Sequence, residues 1–179
     1  MFTKEQTVFV LVDVQGKLAK IVHDSEALIE NLRKLISCLR ILDVPIIWLE
    51  QYPDGLGPTV EKVAEQLDGL APIPKMTFSA CKTEEFMNAL RATQRQKILI
   101  AGIETHICVY QTAADLKDSD FDVQVVEDAV SSRTLANKQL GLEKMKALGI
   151  LGTSVEMAIY ELLESANAKE FKQILKIIK

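Results

Sequence analysis

The chain contains the stretch Lys97-Ile98-Leu99-Ile100-Ala101-Gly102-Ile103-Glu104-Thr105-His106-Ile107-Cys108, in which an apolar run leads into a turn that ends at a cysteine. The apolar run predicts a buried strand, and the residues after it predict a tight turn and the start of a helix. Unpaired backbone N–H groups and the helix dipole favour an anion at such a start. We therefore expect the pKa of the Cys108 thiol to be lowered toward the reactive thiolate.

Outward from this stretch, apolar runs alternate with segments of helical periodicity. Val8-Phe9-Val10-Leu11-Val12 is typical of a strand covered on both faces. Further strands are predicted at 44–49, 98–101, 121–126 and 150–151, and helices at 26–42, 60–67, 83–93, from the Cys108 turn to 118, and at 137–148, 154–165 and 168–178. The alternation predicts an α/β protein, a parallel sheet between helical layers with right-handed crossovers.

The composition limits the classes of protein to consider. The chain has 179 residues, 48% of them apolar, which fits a single domain over residues 1–179 with a C-terminal tail helix. The net charge of −4 argues against a nucleic-acid partner. No apolar run is long enough for a signal peptide or a membrane span, so we expect no membrane partner.

The cysteines indicate the compartment. Cys38, Cys81 and Cys108 are odd in number and form no Cys-x-x-Cys pair, which argues against a zinc knuckle or a disulfide framework. Reduced thiols favour a cytoplasmic protein. Cys38 falls inside a predicted helix and Cys81 near Lys75 in the sequence, and we interpret both as packed thiols.

Three polar residues form a candidate catalytic group. Asp13 follows the first strand, Cys108 follows the strand at 98–101, and Lys75 lies in a connection from Gln51 to about Thr83 that is long enough to carry function. Ligands of parallel sheets bind at the carboxyl ends of the strands. Cys108 would attack, Asp13 would move the thiol proton to the leaving group, and Lys75 would hold Asp13 and favour the thiolate.

Each of these residues also has a plain structural interpretation. An aspartate after a strand is often a turn or cap residue, a lysine in a loop is usually solvated, and a free cysteine is often packed. The long connection is then a solvated insertion. Only the combination of the three favours a nucleophilic site.

Several segments resemble a known family. The segments 10–15, 75–80, 102–109, 128–133, 148–150 and 153–156 are similar to signature segments of the isochorismatase-like cysteine hydrolases. The resemblance runs in order from about Thr7 to Leu163. Glu50-Gln51-Tyr52-Pro53-Asp54-Gly55-Leu56-Gly57 resembles the loop after the second strand of the small isochorismatase domain-containing hydrolases.

The resemblance implies a Rossmann-like, three-layer fold with a six-stranded parallel sheet in the order 3-2-1-4-5-6. It implies a triad of Asp13, Lys75 and Cys108, and a non-proline cis peptide at Ile103–Glu104. The N–H groups of Glu104 and Cys108 would then form an oxyanion hole. It also implies a small-molecule substrate, a homo-oligomer of two or more copies, and substrate contacts from Gln15, Phe78, Ile103 and Thr105.

The histidines depart from one branch of this family. Nicotinamidases hold a metal through an Asp-x-His pair and further histidines, whereas this chain has only His23 and His106. We predict that His23 lies at the surface and His106 at solvent or a subunit interface. The loop after the second strand offers Glu50, Gln51 and Asp54 without an imidazole. We therefore predict no metal and no other cofactor.

The leading hypothesis is a cysteine hydrolase that cleaves a C–N bond of a small amide, ureido or carbamoyl compound through a thioester. True isochorismatases cleave a vinyl ether and lack the cysteine, so Cys108 indicates acyl transfer. The alternative is a catalytically weak or inactive member that acts as an oligomeric scaffold. A nucleotide-binding module is a third reading, but the first strand is followed by neither G-x-G-x-x-G nor a P-loop.

Overall fold

The computed structural model describes all residues, Met1–Lys179. Its elements are, in chain order, β1 (Thr7–Val12), α1 (Leu18–Ile21), α2 (Ser25–Ile41), β2 (Ile46–Gln51), α3 (Pro53–Leu56), α4 (Glu61–Ala64), β3 (Ile73–Lys75), α5 (Glu84–Ala92), β4 (Lys97–Ile103), α6 (Tyr110–Asp118), β5 (Asp122–Ser131), α7 (Leu135–Ala147), β6 (Leu151–Thr153), α8 (Val155–Leu163) and α9 (Phe171–Ile178). Short 3₁₀ turns span Glu65–Leu67 and Ala80–Lys82, and one π-helical turn spans Thr105–Val109.

The six strands form one parallel sheet in the order β3-β2-β1-β4-β5-β6, flanked by helices. This confirms the predicted fold class and strand order. The chain adds β2 and β3 on one side of β1 and then returns to place β4 on the other side. The order therefore reverses between β1 and β4, which is where open parallel sheets bind ligands.

The central strands are buried on both faces. All six residues of β1 are buried, as are all residues of β4 after Lys97. This burial explains the continuous apolar runs, since a strand covered by helices on both faces has no polar side. Cys38 is fully buried in the core on α2, as predicted. None of the helices is both long enough and apolar enough to cross a membrane.

The register brings several strand ends to one level. Val12 of β1 pairs with Leu49 of β2 and with Gly102 of β4. Gly102 has a φ of +121°, and a Cβ there would lie 2.0 Å from the Val12 carbonyl oxygen. Only glycine permits this close approach. The residues that follow β1 and β4 therefore emerge side by side.

One strand was missing from the sequence assignment. β3 lies in the middle of the long connection after β2 and consists of Ile73, Pro74 and Lys75. It is too short for a pattern of alternation, and its proline is a residue that strands usually avoid. It pairs with the end of β2, where Lys75 lies opposite Gln51. A segment predicted as loop thus becomes the outer strand that carries Lys75.

Candidate active site

A small cavity lies at the carboxyl ends of β1, β2 and β4, and its volume is about 110 Å³. Its wall is formed by Asp13, Leu18, Gln51, Leu56, Phe78, Ile103, Glu104, Ile107 and Cys108. A larger groove of about 650 Å³ lies against α2 and the segment 58–62, but none of the predicted catalytic residues lines it. The chemistry of its wall marks the smaller cavity as the candidate active site.

Asp13 and Lys75 form a buried ion pair beside this cavity. The Nζ of Lys75 lies 2.7 Å from Oδ2 of Asp13, and the two side chains are 0% and 4% exposed. The pairing depends on β3, because that strand ends at Lys75 next to the end of β2. The structure thus brings together two residues that are 62 positions apart in the sequence.

The Lys75 ammonium is fully engaged with the protein. Its Nζ lies 2.7 Å from Oε1 of Gln51 and 3.2 and 3.3 Å from the carbonyl oxygens of Thr77 and Phe78. An ammonium group has three N–H donors. Together with Asp13 these groups offer four acceptors, so Lys75 has no donor left for a substrate.

The Asp13 carboxyl is harder to ionise than in water. Burial raises its pKa above the usual 3.8, and the charge and hydrogen bond of Lys75 oppose this effect without cancelling it. Its second oxygen, Oδ1, accepts no hydrogen bond of standard geometry. The Cys108 thiol is close enough to interact with the same carboxylate. Asp13 therefore lies between the lysine and the thiol.

Cys108 lies in the π-helical turn Thr105–Val109 that precedes α6, not in the first turn of a regular α-helix as predicted. The Val109 N–H donates to the Glu104 carbonyl over 3.3 Å, which is the five-residue step of a π-helix. Gly141 of α7 packs against this turn, and a Cβ there would lie 2.9 Å from the His106 backbone. Helix α7 thus holds the backbone of the turn directly.

The prediction of a lowered pKa for Cys108 is wrong for the unliganded site. Burial, the largest cause, and the charge of Asp13 together raise the pKa of this thiol to about 12, although the charge of Lys75 opposes them. Desolvation penalises the thiolate more than the neighbouring cation and the helix start stabilise it. The thiol is therefore protonated at neutral pH.

The backbone before the turn has two notable features. The peptide bond Ile103–Glu104 is cis, at the position that the family resemblance implies. The Glu104 N–H makes no hydrogen bond within the protein, although the residue is buried. The Glu104 carboxylate accepts from the backbone N–H of Arg133 over 2.8 Å and from its Nε over 3.2 Å. This ion pair fixes the turn from outside the cavity.

Two residues that were predicted to contact substrate lie elsewhere. Gln15 is fully buried behind the wall, where its Nε2 donates to the carbonyl oxygens of Gln51 and Gly57 and its Oε1 accepts from the Gln51 N–H. Thr105 is also fully buried, and its hydroxyl has no partner. Neither residue lines the cavity of the unliganded protein. Gln15 positions the segment that carries Leu56. Contact of either residue with a substrate stays a prediction.

Sequence reasoning did not identify four residues of the wall. Phe78, Ile103, Glu104, Asp13 and Cys108 were predicted, whereas Leu18, Gln51, Leu56 and Ile107 were not. The three apolar residues carry no chemical signal, and they come from α1, α3 and the π-helical turn. The sequence places Gln51 just beyond the apolar run that ends at Leu49, which is a usable signal for a strand-end position.

The remaining cysteines and histidines lie outside the cavity. Burial raises the pKa of Cys38 and of Cys81 to about 11, and the half-buried Cys81 thiol donates to the Thr112 carbonyl. His23 is exposed, as predicted. His106 is partly exposed, with its Nδ1 3.0 Å from the Ser132 hydroxyl. No cluster of three or more metal-binding side chains occurs.

Comparison with known proteins shows the family of the chain. The model of the isochorismatase domain matches residues 7–157. The secreted isochorismatase effector Isc1 of Phytophthora sojae is 37% identical over 177 residues, which cover 97% of this chain and 84% of that protein.

Two solved structures extend the comparison. The MAR1 ribonuclease from Caenorhabditis elegans has a TM-score of 0.93 at 34% identity, over 99% of this chain and 91% of that one. YcaC from Pseudomonas aeruginosa, solved with hexane-2,5-diol and covalent acrylamide, has a TM-score of 0.91 at 25% identity, over 98% of this chain and 90% of that one. In sequence and in fold, this chain belongs to the isochorismatase family, and it has the fold of the hydrolases of that family.

Proposed function

We propose that the protein is a cysteine hydrolase that cleaves the C–N bond of a small amide, ureido or carbamoyl compound through a thioester intermediate. The observation that carries the proposal is the buried Asp13–Lys75 pair, 2.7 Å apart, of which Asp13 lines the same cavity as Cys108. An acid–base group beside a thiol is the arrangement that nucleophilic catalysis requires.

The acylation step follows from the protonation states. Asp13 accepts the thiol proton while Sγ of Cys108 forms a bond to the substrate carbonyl carbon. The carbonyl electrons move to the oxygen, and the tetrahedral intermediate then expels the nitrogen, which takes the proton from Asp13 and leaves as an amine. Lys75 favours the ionised carboxylate at the start of the cycle because its charge lowers the pKa of Asp13.

The free Glu104 N–H supports a role in stabilising the oxyanion. It is a buried donor with no acceptor in the protein, next to the cavity wall. A backbone donor of this kind contributes about 3 kcal/mol to a tetrahedral transition state. We propose that the Cys108 N–H is the second donor. Hydrolysis of the thioester by water then returns the thiol, with Asp13 as the base and afterwards the acid.

The test is a set of cysteine variants assayed on a panel of small amides and ureido compounds. We expect Cys108→Ala to abolish turnover, whereas Cys81→Ala serves as the matched control and keeps it. Rapid acid quenching of the wild type followed by mass spectrometry should detect the acyl group on the peptide that contains Cys108. Turnover by Cys108→Ala at the wild-type rate would refute the proposal.

The alternative is a scaffold without catalysis. Exposed apolar side chains on α7, β6 and α8 support the proposed homo-oligomer, and they include Leu140, Leu151 and Met157. A chain that assembles and whose Cys108 reacts with alkylating reagents, but that hydrolyses nothing in the panel, would favour this alternative.

A ribonuclease activity, as in the name of the Caenorhabditis elegans relative, is supported less well here. The wall carries the carboxylate of Asp13, and Lys75 has no free donor for a phosphate. The net charge of the chain is −4. A single-stranded RNA belongs in the panel, and its cleavage by the wild type but not by Cys108→Ala would reverse this preference.

A further inference from the structure

We infer that the substrate delivers a short, uncharged, apolar acyl group to Cys108, and that a carboxylate on that group is excluded. The inference rests on the proposed function and specifies its substrate class. Three properties of the cavity carry it: its size, the charges on its wall, and the engagement of its polar side chains.

The size of the cavity limits the acyl group. An engineered apolar cavity of about 150 Å³ holds one benzene molecule, whereas this cavity measures about 110 Å³. By that comparison, about four or five non-hydrogen atoms fit inside it. The cavity does not limit the size of the leaving group, since it reaches solvent at Leu56 and Phe78, which are 40% and 54% exposed.

The charged groups of the wall leave no free cation for a substrate anion. Asp13 and Glu104 line the cavity, and the charge of Glu50 also acts on Asp13 and raises its pKa. The one buried cation, Lys75, has four acceptors for its three donors. The Arg133 guanidinium is bound to Glu104 and does not line the cavity. A substrate carboxylate would therefore meet the Asp13 carboxylate and no free cation.

The rest of the wall recognises shape rather than hydrogen bonds. Leu18, Leu56, Phe78, Ile103 and Ile107 supply apolar surface. Gln51 is the remaining polar side chain, and its amide is engaged with Lys75 and with the Met76 carbonyl. Each methylene that enters such a cavity improves binding roughly fourfold until the space is filled.

The experiment compares amides of matched shape on the wild-type protein. Isovaleramide and malonamate differ by an isopropyl group in place of a carboxylate, and acetamide, butyramide and octanamide vary the length. We expect kcat/KM to rise roughly fourfold per methylene from acetamide to butyramide and to fall for octanamide. We expect malonamate to be at least roughly 100-fold poorer than isovaleramide, because its charge is buried without a partner.

A pair of matched variants tests the charge argument. Leu56 and Leu70 are both 40% exposed, but only Leu56 lines the cavity. Leu56→Arg should raise the ratio of malonamate to isovaleramide turnover roughly tenfold, since it brings a cation to the wall. Leu70→Arg should leave the ratio unchanged. Equal shifts in both variants would overturn the inference.

The outcomes separate this inference from the proposed function. If isovaleramide and malonamate are hydrolysed equally well, the substrate class is wrong and the cysteine hydrolase stands. If neither is hydrolysed and no acyl group forms on Cys108, the proposed function fails.

Alkylation of Cys108 tests the exclusion of a carboxylate without requiring turnover. The ratio of the rates with iodoacetamide and iodoacetate at Cys108 should exceed by at least roughly tenfold the ratio for free N-acetylcysteine amide. A ratio equal to that of the free thiol would overturn the charge exclusion as well.

Discussion

Two ion pairs lie at the carboxyl end of the sheet, and they differ in their access to solvent. In the inner pair, Lys75 and Asp13 have side chains that are 0% and 4% exposed. In the outer pair, the Glu104 side chain is 5% exposed but that of Arg133 is 56% exposed. Both groups of the inner pair are therefore shielded from water, whereas the cation of the outer pair is hydrated.

The comparison explains why only one pair is suited to chemistry. Burial makes the protonation of a group sensitive to small changes in its surroundings. It also raises the pKa values of both Asp13 and Cys108. A hydrated guanidinium screens its partner and contributes little free energy. The outer pair instead orients the backbone of the turn through the Arg133 N–H. We therefore propose that the inner pair takes part in catalysis and that the outer pair positions the turn.

The largest expected effect is on stability when each pair is broken in turn. Lys75→Met should lower the free energy of unfolding by about 3–5 kcal/mol, because it leaves Asp13 buried without a partner. Arg133→Met should lower it by at most about 1 kcal/mol, since the guanidinium is exposed. Urea unfolding measures both changes.

A double variant controls for lost packing. Adding Asp13→Asn to Lys75→Met removes the unpaired charge, so a large part of the lost stability should return. If Lys75→Met and Arg133→Met cost the same, the distinction between the inner and the outer pair is wrong.

The next effect separates the two roles of Asp13. Asp13→Asn should lower kcat by about 10³-fold, because it removes the group that moves the proton. The same change should speed alkylation of Cys108 by iodoacetamide, because the charge and the hydrogen bond of Asp13 both raise the pKa of the thiol. Each unit by which that pKa falls increases the thiolate fraction roughly tenfold. Mass spectrometry of the Cys108 peptide measures the rate, with Cys81 as internal reference.

Parallel losses of hydrolysis and alkylation in Asp13→Asn would contradict this account. They would mean that Asp13 already activates the thiol in the unliganded protein.

The smallest expected effect is on the pH dependence. Asp13 has to be ionised to accept the thiol proton, so kcat/KM should fall roughly tenfold per pH unit below the pKa of Asp13. Burial places that pKa above 3.8, and Lys75 lowers it. Lys75→Met should therefore shift the acid limb to higher pH, whereas Arg133→Met should leave it in place. A midpoint at or below 3.8 in the wild type would count against a buried base.

Much of the fold follows from local patterns in the sequence. β1, α2 and β4 were predicted within a few residues because burial on both strand faces and on one helix face imposes periods that can be counted. β5 is longer than predicted and ends at Ser131, beyond the polar residues Glu127 and Asp128. Those residues interrupt the apolar run, and the pairing of Val130 and Ser131 with β4 continues the strand.

The site was predicted in part. Asp13 and Cys108 follow strands of the central sheet, so their meeting is a consequence of parallel topology. Lys75 was indicated only by its place in the long connection and by a motif resemblance, since the three residues of β3 give no countable pattern. The direction of the Cys108 pKa shift was wrong because the helix start is a local feature, whereas burial comes from distant segments.

The sequence by itself determined the family, the alternation of most strands and helices, and the candidate catalytic residues, because short-range periodicity and motifs encode these directly. Only the tertiary structure decided that Lys75 is buried with all its donors bonded, that the thiol keeps its proton, and that the cavity is small and mostly apolar. These properties depend on which distant segments exclude water from one point. The energy of a charge is set by that exclusion and not by its neighbours in the chain.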